Sequence, residues 1–164
     1  MSLYFIEMGQ GIIARPEVRV ITSCLSSCSL LTGWSQKTRF GGAFHYPGGY
    51  HDNAEVLAAM ALWVFYLKPT AIKILFARGV TQELGTKKPD RDFLKAWVTR
   101  ESGLIPSSAP AIGARMRLTT DLEFSADDGR NLPDLFESGV CDVSKFPAGD
   151  YSAKNYILVG RNMA

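Results

Sequence analysis

Histidine and cysteine are both scarce in this chain. Its 164 residues hold two histidines, His45 and His51, and three cysteines, Cys24, Cys28 and Cys141. Three cysteines cannot all pair with one another. If Cys24 and Cys28 lay on one extended strand they would be roughly 13 Å apart, too far for a disulfide. At least one free thiol is expected, which fits a reducing compartment or a cysteine kept for chemistry.

Charge of one sign is also missing. The formal net charge is +2, with no long basic run, so nothing argues for a nucleic-acid groove. Glu7 and Arg15 interrupt the N-terminal segment, which lacks the continuous apolar run of a secretory signal. The apolar stretch 57–67 is too short to cross a bilayer. The expectation is a soluble protein without membrane insertion. It is cytoplasmic, or delivered into a host or target cell without an N-terminal signal peptide. Repeats and low-complexity segments are lacking too.

What is present suits one ordinary domain over 1–164, with 46% apolar residues to build a core. Residues 18–23 alternate as a strand does, and 29–34 and 39–46 read as two more, joined by the polar loop 35–38. Asp52, with Glu55 three positions later, predicts a helix start, and Val56, Met60, Val64 and Leu67 follow at helical spacing. Pro69 ends it. Residues 71–77 read as a buried strand. Pro89 opens a second helix that Gly103 can close. One or two strands over 114–124 and a turn at 126–129 follow. The segment 130–164 reads as an irregular C-terminal wrap with a short last strand at 155–159. The order predicts an α+β fold: a β-sandwich or largely antiparallel sheet flanked by two main helices.

Cys28 and His45 carry the chemical signal. A thiol is mostly protonated at neutral pH, and an adjacent imidazole can stabilise its thiolate or take its proton. The imidazole needs a third group to fix its orientation, and Thr22, on the strand leading to Cys28, is the candidate. Backbone N–H groups around Ser26, Ser27 and Cys28 are candidates for stabilising an oxyanion. Tyr46, in the glycine-containing segment beside His45, is a candidate for flanking a substrate groove.

The pattern Thr22-x5-Cys28-x16-His45 resembles the catalytic triad of the CheD chemoreceptor glutamine deamidases. Leu25-Ser26-Ser27-Cys28 is similar to their Leu-Gly-Ser-Cys segment. It is equally similar to the Leu-Ser-Gly-Cys motif of the cytotoxic necrotizing factor catalytic domain and of Burkholderia lethal factor. Gly41-Gly42-Ala43-Phe44-His45 resembles the CheD Gly-Gly-x-x-His strand. The resemblance covers roughly residues 18–130, and both glycines of the related motifs are serine here. It implies a protein-glutamine deamidase working through a Cys-His-Thr thioester mechanism, with no cofactor or metal. The implied partner is a protein substrate carrying a reactive glutamine, in a chemotaxis or a toxin/effector setting.

Other readings stand beside it. The chain could be a cysteine hydrolase of another specificity, or an inert binding domain of the same fold. A catalytic thiol is expected to alkylate quickly below neutral pH, and an inert one is not. Cys24, Cys28, His45 and His51 approach a zinc-finger spacing, but Pro47, Gly48 and Gly49 break the helix such a site needs. His51 is the alternative base. Cys141 reads as incidental, and Trp34, Trp63 and Trp97 as core.

Overall fold

The computed structural model describes residues 3–15, 19–22, 25, 27–49, 51–78, 85–111, 113–117, 124–127, 136–137, 140–141 and 156–160. The chain runs through β1 (Leu3–Ile6), β2 (Gln10–Ala14), β3 (Arg19–Thr22), β4 (Ser29–Trp34), β5 (Gly41–Tyr46), α1 (Ala54–Leu67), β6 (Ala71–Ala77) and α2 (Lys88–Ser102). Then come β7 (Ser107–Ala111), β8 (Gly113–Arg117), β9 (Phe124–Asp127), β10 (Phe136–Glu137), β11 (Val140–Cys141) and β12 (Tyr156–Gly160).

The main sheet has six strands in the order β12-β2-β5-β4-β6-β7. Every pairing in it is antiparallel except β6 with β7, which α2 connects as a parallel crossover. This is an α+β fold with a largely antiparallel sheet core and two helices. A second sheet, β1-β3-β8-β9, and a short β10-β11 ribbon complete the described strands. The short last strand expected within the C-terminal wrap is β12, which closes one edge of the main sheet against β2. Most of 130–155 lies outside the described residues.

β4 and β5 are buried along their whole length because layers cover both faces of the sheet. On one face lie α1 and α2, with Met60, Trp63, Leu67, Leu94 and Trp97 packed on Ile13, Leu31, Phe44, Tyr46 and Ile74. Each fully buried side chain of the size of Met60 or Leu67 contributes about 1.5–3 kcal/mol. Trp63 lies close against the sheet because Gly33 and Gly42, paired across β4 and β5, leave room for it. Its indole N–H donates to the Ile12 carbonyl at 3.1 Å. On the other face, Ile6, Leu25 and Cys28 pack with Ile12, Leu30, Ala43 and Leu75. The three tryptophans are buried, as their positions in the sequence suggested.

The cap of α1 falls one residue later than Asp52. The side chain of Asn53 accepts from the Val56 N–H at 3.0 Å. Asn and Asp cap equally well, so sequence rank alone did not separate these neighbours. Lys68 ends the helix in the left-handed region, φ 50°, immediately before Pro69. α2 has Pro89 in its first turn and ends at Gly103, φ 73°. No helix among the described residues is long and apolar enough to cross a membrane.

Candidate functional site

The β4–β5 ladder sets Leu30 directly across from His45. Leu30 and Cys28 belong to the cluster on the face away from the helices, and residues opposite each other in a ladder share a face. Continued by one residue pair, the register makes Cys28 and His45 diagonal neighbours on that face, at the end of the ladder. The spacing read from sequence therefore brings these two residues to one region of the sheet.

Cys28 is buried, and it is the free cysteine among the described side chains. Its Sγ lies 3.6 Å from the Met8 sulfur. The backbone N–H groups of Gly48 and Ser27 are aimed at its sulfur and favour the thiolate, but burial outweighs them. The nearby Asp90 carboxylate adds to burial, and the thiol is pushed above its ordinary range. The resting sulfur is a protonated thiol at neutral pH. The fast alkylation below neutral pH expected of a catalytic thiol does not fit this seat, because a desolvated sulfur cannot easily hold charge.

The main chain at Cys28 is held by Thr86. The Thr86 hydroxyl donates to the Cys28 carbonyl at 2.8 Å and accepts from the Ala77 N–H at 2.7 Å. Ser29 Oγ lies 3.3 Å from the same oxygen. A tight approach by the loop after β5 completes the seat. A Cβ on Gly48 would stand 2.8 Å from the Ser27 carbonyl oxygen and 3.2 Å from an Asp90 carboxylate oxygen, so a side chain there would force the two segments apart.

His45 is completely buried. Its ring N–H donates to the Ile6 carbonyl, which favours the charged form, but burial dominates and lowers its pKa to about 4. The imidazole is therefore neutral at physiological pH. The orienting group that the described contacts give is Ile6, not one of the residues chosen from sequence. Thr22 is its neighbour: β1 and β3 run parallel, with Ile6 paired to Thr22. The topology thus brings the Thr22 backbone beside Ile6 of β1, whose carbonyl accepts from the His45 ring. The side chain of Thr22 lies outside the described residues, as do Ser26 and Cys24.

Tyr46 does not flank a groove. It is fully buried on the helix side of the sheet and stacks on Phe93, ring centroids 6.3 Å apart. Alternation along β5 explains the correction: adjacent residues face opposite ways, so Tyr46 cannot share the face of His45.

Sequence reasoning missed Asp90. It sits in the first turn of α2, buried, and accepts from the Gly49 N–H at 3.1 Å. It also pairs with the His51 ring, which stacks nearly flat on Phe93 at 4.7 Å. A carboxylate that orients an imidazole is the arrangement expected of an acid–base pair. His51 is partly exposed, whereas His45 is sealed. The only advance signal was an acidic residue beside the helix-opening Pro89, a pattern that helix starts show without any site.

The site therefore contains a neutral thiol, two backbone donors on its sulfur, a sealed neutral imidazole on the same sheet face, and an accessible imidazole–carboxylate pair nearby. Such a set can carry nucleophilic attack on a carbonyl if the thiol loses its proton as it attacks, rather than beforehand. Among the described residues there is no His, Cys, Asp and Glu grouping suited to a metal ion. Comparison of the chain with models of protein families, with curated proteins and with solved structures gave no match.

Proposed function

We propose that this protein is a cysteine-dependent amidohydrolase that converts a glutamine side chain of a target protein to glutamate. The observation that carries the reading is the seat of Cys28: a thiol facing two backbone N–H groups, on the sheet face of His45. The choice of glutamine rests on the resemblance of the Thr22, Cys28 and His45 pattern to the CheD and necrotizing-factor deamidases.

In this mechanism Cys28 attacks the carboxamide carbon. Its proton passes to an imidazole, which returns it to the departing ammonia. The resulting thioester is opened by water, whose proton the same imidazole takes and gives back to the sulfur. Glutamate is released and the thiol restored. The N–H groups of Ser27 and Gly48, already close to the sulfur, are placed to meet the oxyanion as it forms. Thr22 and Ile6 orient His45. The substrate protein is met in the cytoplasm, or in a cell into which this chain is delivered.

His45 is the base that the family pattern names. Its sealed position and lowered pKa make it a weak one. The pairing of His51 with Asp90 favours His51 as the group that exchanges protons with solvent. A second reading draws on the raised pKa of Cys28: the thiol is inert, and the domain only binds a partner.

Ammonia release from glutamine-containing protein substrates, with the amide-to-acid mass change mapped by mass spectrometry, tests the proposal. Loss of activity in Cys28→Ala is expected. Activity retained in that variant overturns the assignment, and a folded wild-type protein inert on every substrate favours the binding domain. His45→Ala and His51→Ala compared in the same assay identify the base.

A further inference from the structure

An open cavity of about 510 Å³ lies where α2 passes the β6–β7 pair. That size is ordinary for a small-molecule site. Three cationic side chains line it: Arg78 just after β6, and Arg91 and Lys95 on α2. Gly85, Thr86 and Ser108 add polar surface. No carboxylate is among the described residues lining it. We infer that this cavity binds a small ligand carrying phosphate or carboxylate groups.

The charges are arranged in a way that an empty cavity does not explain. Arg91 and Lys95 are four residues apart on one helix face, and like charges at that spacing destabilise a helix. Arg78 brings a third positive charge to the same space. The two aspartates of α2 are engaged elsewhere, Asp92 with Lys88 and Asp90 with Gly49 and His51, and Glu101 lies at the other end of the helix. Asp92 does feel Arg91 and Lys95, but it is fully exposed and offsets them only weakly. A bound oxyanion would relieve the remaining repulsion, and guanidinium groups suit the planar, two-point recognition of phosphate and carboxylate.

The frame around the charges is built. Arg78 N donates to the Ala111 carbonyl at 2.8 Å, tying the end of β6 to the end of β7. Gly85, with φ +104°, brings its backbone close to the carbonyls of Ala77 and Arg78, where a Cβ would lie 3.1 Å and 3.2 Å from their oxygens. Lys95 is held over the Phe76 ring, 5.6 Å from its centroid. The cavity also opens at the carboxyl ends of two parallel strands joined through a helix, the usual place for ligands in crossover units. The inference is independent of whether Cys28 is catalytic.

The test is thermal unfolding of the full chain with pyrophosphate or citrate, against sodium chloride at matched ionic strength. One or both probes should raise Tm saturably, by about 3 °C or more at ten times Kd. The rise should be lost in Arg91→Gln/Lys95→Gln and in Arg78→Gln, and kept in Lys68→Gln, at the far end of α1. If the double variant does not fold, Arg78→Gln on a different segment reads the same site. A response to pyrophosphate alone identifies a phosphorylated ligand, and one to citrate alone a carboxylate. No rise with either probe, or a rise unchanged in the Arg78 variant, overturns the inference.

Discussion

The Thr86 hydroxyl donates to the carbonyl of Cys28 at 2.8 Å, across fifty-eight residues of sequence. The same oxygen accepts from Ala77 N–H, so one side chain joins the start of β4 to the end of β6. Thr86→Val keeps the shape but leaves the Cys28 carbonyl and the Ala77 N–H buried without this partner. Each such group costs about 1–3 kcal/mol. A loss of at least about 2 kcal/mol is expected in urea unfolding, with Thr86→Ser recovering most of it. A variant as stable as wild type would show that Thr86 does not fix this backbone.

His45 makes the fold sensitive to acid. Its folded pKa is lowered to about 4 from an ordinary 6.5. Between these values the unfolded chain binds a proton that the folded chain does not, so stability is full above pH 6.5 and falls as the pH drops towards 4. The loss amounts to about 3 kcal/mol and levels off below that. Urea midpoints measured from pH 7 to pH 4 should trace this fall. His45→Gln should flatten the part of the curve that begins near 6.5.

The strands and helices that follow strong apolar patterns were legible in the sequence. β6 falls at 71–77 as expected, and α2 keeps its Pro89 start and Gly103 end. Cys28 and His45 share a face because a hairpin between the strands fixes the parity of every residue. The same parity turns Tyr46, one residue on, to the helix side of the sheet, away from Cys28 and His45. Asp90 and Thr86 were not legible. Each reaches the Cys28 region through a contact between segments distant in sequence, and neither stands in a motif. Ile6 was hidden for another reason: it acts through its carbonyl, which every residue has.

Gly42 is needed for the approach of Trp63. A Cβ there would stand 2.9 Å from the indole nitrogen and 3.0 Å from both the Ile12 carbonyl oxygen and a Leu67 methyl. The indole cannot retreat without losing its bond to Ile12. Gly42→Ala is expected to cost about 1–3 kcal/mol, as overpacked cores do. A shift in tryptophan emission should accompany the loss, because Trp63 must move. Unchanged stability and emission would mean that the helix layer sits further from the sheet.

Burial raises the pKa of Cys28, and the charge of Asp90 adds a smaller push in the same direction while the carboxylate orients His51. Asp90→Asn removes the charge and keeps an oxygen to accept from Gly49 N–H. The thiolate becomes easier to form, so alkylation of Cys28 by iodoacetamide at pH 7.5 should rise. If His51 moves protons during catalysis, amide hydrolysis should fall in the same variant, because the imidazole loses the carboxylate that orients it. Faster alkylation with slower turnover therefore assigns Asp90 to the proton-transfer side of the reaction. Faster alkylation with unchanged turnover would restrict Asp90 to an electrostatic and structural part, and leave His45 as the sole base.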